Sequence, residues 1–97
     1  MSYWKLSEER PEPYKGICVF VKAHDYLEED GETMTHRDDA VYCDMYYVPY
    51  RINYDNTKLP ESVENDEGYF TIEWQYITHW CYMKDVAKIL KESLENA

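Results

Sequence analysis

Five apolar residues in a row, Ile17-Cys18-Val19-Phe20-Val21, constrain the fold of this chain more than any other feature. Side chains of a strand point alternately to its two faces, so a run without a polar member must be covered on both. Its β-branched residues favour extended backbone. The run therefore predicts a central strand of a sheet with material packed on each side. Gly16 permits a tight bend just before it, and Pro11 and Pro13 hold their preceding residues extended within the polar stretch 7–16.

Three other segments carry a readable period. Ala40 to Tyr47 reads as a second strand, with Val41, Cys43, Met45 and Tyr47 on one side and Tyr42, Asp44 and Tyr46 on the other; Pro49 ends it. Tyr69 to Trp74 alternates, so that Phe70, Ile72 and Trp74 share a face, and Tyr76 to Met83 continues extended. Gln75 alone separates these two, too little for a hairpin, which predicts a bulge or bend. In the tail, Val86, Ile89, Leu90 and Leu94 recur at three- and four-residue intervals, the spacing of one helix face. A helix over about 85–96, capped by Asp85, is expected to dock that stripe on the sheet, because a helix of ~12 residues is marginal alone.

The polar stretch 24–38 reads as a long hairpin-like connection or a mobile loop and most of 50–68 as an exposed loop, making 24–68 an acidic, loop-rich middle. The expected class is α+β: a small, mostly antiparallel β-sheet with one C-terminal α-helix packed on it. With 97 residues, the span 1–97 is a single domain, since two cores would each be too small to stabilise themselves.

Charge narrows the function. Between Asp25 and Glu67 there are thirteen acids and three bases, whereas the rest of the chain carries seven of each, so the whole net charge of −10 lies in the middle. Such a field repels nucleic acid and anionic membranes, and it favours a basic partner. No apolar run approaches the ~20 residues of a membrane span, and Met1 to Lys5 lacks the pattern of a signal peptide. Three cysteines without close spacing, Cys18, Cys43 and Cys81, read as free thiols of a reducing compartment, with Cys18 and Cys81 buried. The expected location is the cytoplasm.

Signatures of catalysis are sparse: the chain has three widely spaced glycines and no phosphate loop, nucleophile elbow, Cys-x-x-Cys or His-Glu-x-x-His. The expectation is a non-enzymatic protein without a cofactor or metal. The densest reactive cluster is Thr78-His79-Trp80-Cys81, in which His79 and Cys81 share a strand face. With Cys18 or Cys43 on a neighbouring strand, they form the basis of an alternative, a metal-binding domain or enzyme; the simpler reading is a structural histidine packed between aromatics. His24 and His36 flank the acidic stretch as solvated loop residues. Eleven tyrosines are the other compositional mark, and the cluster Tyr42, Tyr46, Tyr47, Tyr50 and Tyr54 is set beside acids. Tyrosine rings beside carboxylates suit arginine-rich partners, and they equally allow a second alternative, a small-molecule or nucleotide binder.

The ends of the chain carry short motifs. Trp4, Leu6, Ser7, Arg10, Pro11 and Glu12 precede the strand 17–21, and Trp74 is followed by Thr78, His79, Trp80 and Met83. In these parts, roughly half its length, the chain resembles the Eae-like family of small bacteriophage and prophage proteins. It departs from that family by ending in a helix rather than a proline-rich segment, and its acidic middle has no counterpart there. The resemblance implies a compact phage-type domain, acting in the host cytoplasm, with the matched aromatics and His79 as scaffold.

The functional expectation joins these strands of reasoning: a phage-type accessory protein that binds and inhibits a basic host protein, such as a nucleic-acid-binding defence factor. The contact residues expected are Glu28, Glu29, Asp30, Asp38, Asp39, Tyr42, Tyr46, Tyr50, Tyr54, Glu64, Asp66 and Glu67. Neither nucleic acid nor membrane is expected as a direct partner.

Overall fold

The apolar run does form the middle of a sheet. The computed structural model describes residues 3–28, 30–52, 54–68 and 70–96, so Glu29 and Tyr69 lie outside the described residues. The strands are β1 (Lys5–Leu6), β2 (Gly16–Val21), β3 (His24–Leu27), β4 (Met34–Arg37), β5 (Ala40–Val48), β6 (Arg51–Ile52), β7 (Lys58–Leu59), β8 (Ser62–Asn65), β9 (Thr71–Glu73) and β10 (Ile77–Tyr82). One 3-10 helix, Trp74–Tyr76, separates β9 from β10, and the helix α1 (Met83–Glu95) closes the chain. Six strands form one antiparallel sheet in the order β1-β10-β2-β5-β8-β9. The pairs β3–β4 and β6–β7 are separate hairpins that leave this sheet as arms. The α+β class is therefore as expected, and the bend at Gln75 is the 3-10 turn.

One face of the sheet holds the core. Ile17, Val19 and Val21 of β2, Met45 and Tyr47 of β5, Val63 of β8, Ile72 of β9 and Trp80 of β10 cluster there with Trp74. The N-terminal segment straps over this face through indole and phenol groups that would otherwise be buried without partners. The Trp74 Nε1–H donates to the Ser7 carbonyl (3.0 Å), the Trp80 Nε1–H to the Glu9 carbonyl (2.7 Å), and the Glu12 N–H to the Tyr82 hydroxyl (3.1 Å). Pro11, between these anchors, is buried. The aromatic and proline motif residues of the two ends thus meet as scaffold.

The opposite face begins with Cys18 and Cys81, which are cross-strand partners. Helix α1 covers β2 and β10 here, and Met83 lies 3.4 Å from the position a Cβ on Gly16 would take. Glycine at 16 therefore lets the first helical turn approach the strand. The docking is shorter than the stripe predicts: Val86 and Ile89 are half-buried, while Leu90 and Leu94 are 58% and 77% exposed. Asp85 does not cap the helix; Tyr82 is the N-cap residue, without a side-chain cap, and Asp85 sits in the first turn, 3.6 Å from Lys88 Nζ. A carboxylate in that turn still complements the helix dipole. The protruding helix and arms give extents of 50 × 27 × 25 Å and a radius of gyration of 14.9 Å, above the ~13 Å of a compact chain this long.

Two expectations need correction. The middle, 24–68, is not loop-rich: it contains β3 to β8, and Val63 in its second half is fully buried. Acids at exposed positions concealed the short strands between them. The facing of β5 also differs. Ile17 pairs with Met45 and Val19 with Tyr42, so Cys18 alone faces both Cys43 and Asp44. This β-bulge shifts the alternation by one residue. Tyr42, Met45 and Tyr47 consequently point to the core, and Val41, Cys43 and Tyr46 to the opposite face. A second irregularity at Thr78 lets Ile77 and Trp80 both reach the core while His79 and Cys81 share the other face.

Candidate interaction surface

The eleven expected contact residues that the structure describes do not converge on one patch; Glu29 lies outside the described residues. The β3–β4 arm carries the first group. Asp30 is bound up in its turn: its carboxylate accepts hydrogen bonds from the Thr33 hydroxyl (2.6 Å) and from the Thr33 and Glu32 N–H groups (both 2.9 Å). These bonds, led by the hydroxyl, pull its pKa down to about 2. Glu28 accepts from the Thr35 hydroxyl (2.7 Å) and is half-buried. At the base of the arm, Asp39 accepts from the Ala23 N–H (2.6 Å). Asp38 lies 3.2 Å from His36 Nε2, whose Nδ1 bonds Asp25 (2.8 Å). The bond to Asp25 raises the His36 pKa, so this imidazole is held between two carboxylates rather than simply solvated. His24, likewise, is not a free loop residue but stacks on Tyr76, with ring centroids 3.6 Å apart.

The tyrosines separate too. Tyr42 is half-buried and packs at the core edge against Phe70 (5.1 Å), because the bulge turns it inward and away from the face that holds Tyr46. Tyr50 and Tyr54 lie on the β6–β7 arm, Tyr54 wholly exposed and Tyr50 beneath Lys58 (5.5 Å from its ring).

What the fold does assemble is a smaller group on the half of the sheet that α1 leaves open. Tyr46 of β5 is the register partner of Glu64 on β8, and Thr71 of β9 is the next across. Asp66 raises the pKa of the Tyr46 phenol, and burial and then Asp44 add to the effect. Glu64 is neutralised by an ion pair with Arg51. Asp44 and Asp66, which act on this phenol, are exposed, as is Glu67 in the turn between β8 and β9, and Val41, 52% exposed, continues the face beyond Cys43. Among the described residues, the ion pairs of acids 25–67 are Arg10–Glu61, Arg51–Glu64 and the two contacts of His36. The field expected from the sequence is therefore largely uncompensated in the fold.

One polar node had no signal in the sequence. Arg10 on the strap grips Glu61 through Nε (2.6 Å) and Nη2 (3.0 Å), and the Tyr47 hydroxyl donates to the same carboxylate (2.6 Å). The Arg10 bond holds the Glu61 pKa below its ordinary value, and burial followed by the Glu61 bond raises that of Tyr47. Arg10 also lies over the Trp74 ring (5.3 Å). The node walls a recess of about 700 Å³ with Pro49, Lys58, Leu59 and Gln75. Its carboxylate is committed to two donors, which makes it a clamp between strap and sheet. The partners are 51 residues apart, beyond any local pattern.

His79 is exposed, with Nδ1 2.9 Å from the Thr78 hydroxyl, rather than packed between aromatics; Trp4 and Phe20 only line the shallow recess beside it. Cys81 is fully buried. Among the described residues, no group of three or more His, Cys, Asp or Glu is arranged to hold a metal ion, and no helix is long and apolar enough to cross a membrane. Comparison of the chain with family models, with curated proteins and with solved structures returns no match.

Proposed function

We propose that this protein is a non-catalytic binder of a basic protein, and that the open sheet face around Tyr46 is its contact surface. The observation that supports the reading is the set of exposed carboxylates, Asp44 and Asp66 beside a half-buried Tyr46 and Glu67 in the β8–β9 turn, none of them in an ion pair among the described residues, on the half of the face beyond α1 and flanked by Arg51 of the β6–β7 arm. An arginine of the partner would stack on the Tyr46 ring and pair with Asp66 or Asp44. The remaining acids of the arms would steer the encounter from a distance. Clustered carboxylates can occupy the phosphate-binding positions of a nucleic-acid-binding protein, and for a phage-type chain the protein so inhibited would be one of the host cytoplasm.

A fluorescent arginine-rich peptide titrated at low and high salt tests this. Parent affinity should fall steeply with salt. The triple variant Asp44→Asn, Asp66→Asn, Glu67→Gln should bind on the order of 10-fold more weakly, as three exposed charge contacts predict, with an unchanged melting temperature. Equal binding by parent and variant, or parent binding indifferent to salt, would reduce the acidic face to a solubilising one.

A further inference from the structure

The β5 bulge has a chemical consequence. It places two thiols from adjacent strands side by side: the Sγ atoms of Cys18 and Cys43 are 2.7 Å apart, well inside van der Waals contact for two sulfurs. Directly opposed residues of antiparallel strands have Cα atoms ~4.5–5.5 Å apart, within the ~4.4–6.8 Å that a disulfide spans. Because the bulge sets Cys43 and Asp44 against the single residue Cys18, the Cys43 side chain turns to the face where Cys18 lies. Asp44 holds the bulge open with φ of 57°, a conformation unusual for a residue with a side chain. Such positions persist where the surrounding structure demands them.

The two thiols differ in access. Cys43 is exposed, whereas Cys18 is 3% exposed beneath the helix side of the sheet. We propose that Cys18 and Cys43 are a reversible redox pair, in which Cys43 meets hydrogen peroxide and Cys18 resolves the product into a disulfide. In the first step the Cys43 thiolate attacks one peroxide oxygen. The O–O bond breaks, and hydroxide leaves as the sulfenic acid forms. In the second, the Cys18 sulfur attacks the Cys43 sulfur. The S–O bond breaks, and the hydroxyl departs as water with the Cys18 proton. Two thiols and one peroxide thus give one disulfide and two waters, and a dithiol reductant reverses the change.

Burial, Cys43 and Asp44 all raise the pKa of Cys18, and burial raises that of Cys81 to about 11. Both remain protonated until a partner sulfur is activated beside them, which suits the resolving role for Cys18 and leaves Cys81 inert. Cys81 is nonetheless the cross-strand partner of Cys18 on the other side. It is the one competitor the fold offers.

The bond would tie β2 to β5 at the bulge, with the Val19–Tyr42, Phe20–Val41 and Val21–Ala40 pairs between it and the β3–β4 arm, and close residues 18–43 into a loop. It would also fix Cys43 beside Tyr46 and Asp44, so oxidation state and partner binding would share one strand.

The test uses the reduced full chain treated with stoichiometric hydrogen peroxide. Intact mass should fall by two hydrogens, and peptide mapping should show Cys18 joined to Cys43. Alkylation of Cys43 under native conditions should be lost on oxidation and restored by dithiothreitol, a readout that needs no variant. Cys43→Ser, at an exposed position, should abolish the mass loss, and Cys81→Ala should retain it. A Cys18–Cys81 bridge, disulfide-linked dimers through Cys43, or an unchanged oxidation in Cys43→Ser would each overturn the proposal.

Discussion

Asp44 sits with φ of 57° in a strand whose other residues are extended, and this one residue decides which side chains of β5 face the core. The left-handed conformation costs most L-residues roughly 1–2 kcal/mol, while Asp and Asn adopt it more readily. Asp44→Asn should therefore leave stability within about 0.5 kcal/mol, whereas Asp44→Val, β-branched and poorly suited to positive φ, should lose on the order of 1–2 kcal/mol. Urea denaturation of the two variants measures the difference; equal stability would mean that the bulge is not held by residue 44. The same residue marks the limit of what pattern reading could recover. A strict two-residue period from Ala40 puts Val41, Cys43, Met45 and Tyr47 together, and the inserted residue splits that set after Cys43. Nothing local announces the insertion, because an aspartate in a strand of tyrosines also reads as an ordinary solvent-facing position. The inserted residue therefore turns Tyr42 towards the core and leaves Tyr46 on the opposite face.

Among the elements, those with strong local periods were legible. β2 follows from five apolar residues, β9 and the 3-10 turn from the spacing of Phe70 to Tyr76, and α1 from its stripe. The short strands of the middle, which pair as β3–β4, as β6–β7 and, for β8, with β9, have only two to four residues each, too few to show a period. The stripe of α1 said where the helix is but not how far it docks, since that depends on the reach of the sheet beneath it. Only the first turns lie on β2 and β10. Leu90→Ala and Leu94→Ala should consequently cost less than ~1 kcal/mol each, as exposed substitutions do. Ile72→Ala, at a position 2% exposed in the core, should cost ~2–5 kcal/mol. Amide exchange should be correspondingly faster in residues 90–95 than in residues 84–88. A loss at Leu94 matching that at Ile72 would show a helix docked along its whole length.

At the scale of the whole molecule, the charge distribution and a few shifted groups together set how stability responds to pH. Asp30, with its pKa drawn down to about 2 by the Thr33 and Glu32 donors, and Glu61, lowered chiefly by Arg10, have folded values below their unfolded ones. Their contributions are present above the ordinary carboxylate pKa near ~4 and are lost as pH falls through the folded values. His36 has the opposite sign: the bond to Asp25, with Asp38 beside it, raises its folded pKa. Its contribution is complete below the unfolded value near ~6.5 and disappears as pH rises through the folded one. Both sets act together between roughly pH 5 and 6. The net charge of −10 works in the same direction, because mutual repulsion of carboxylates weakens as some become protonated. The melting temperature should therefore peak in mildly acidic buffer and decline on either side, with added salt flattening the neutral limb by screening the repulsion. His36→Gln should reduce the decline between pH 6 and 8 and leave the acid limb, which belongs to the carboxylates, unchanged. A melting temperature constant across pH 6–8 in the parent, or an equal decline in His36→Gln, would remove the base of the β3–β4 arm from the balance that holds this acidic fold together.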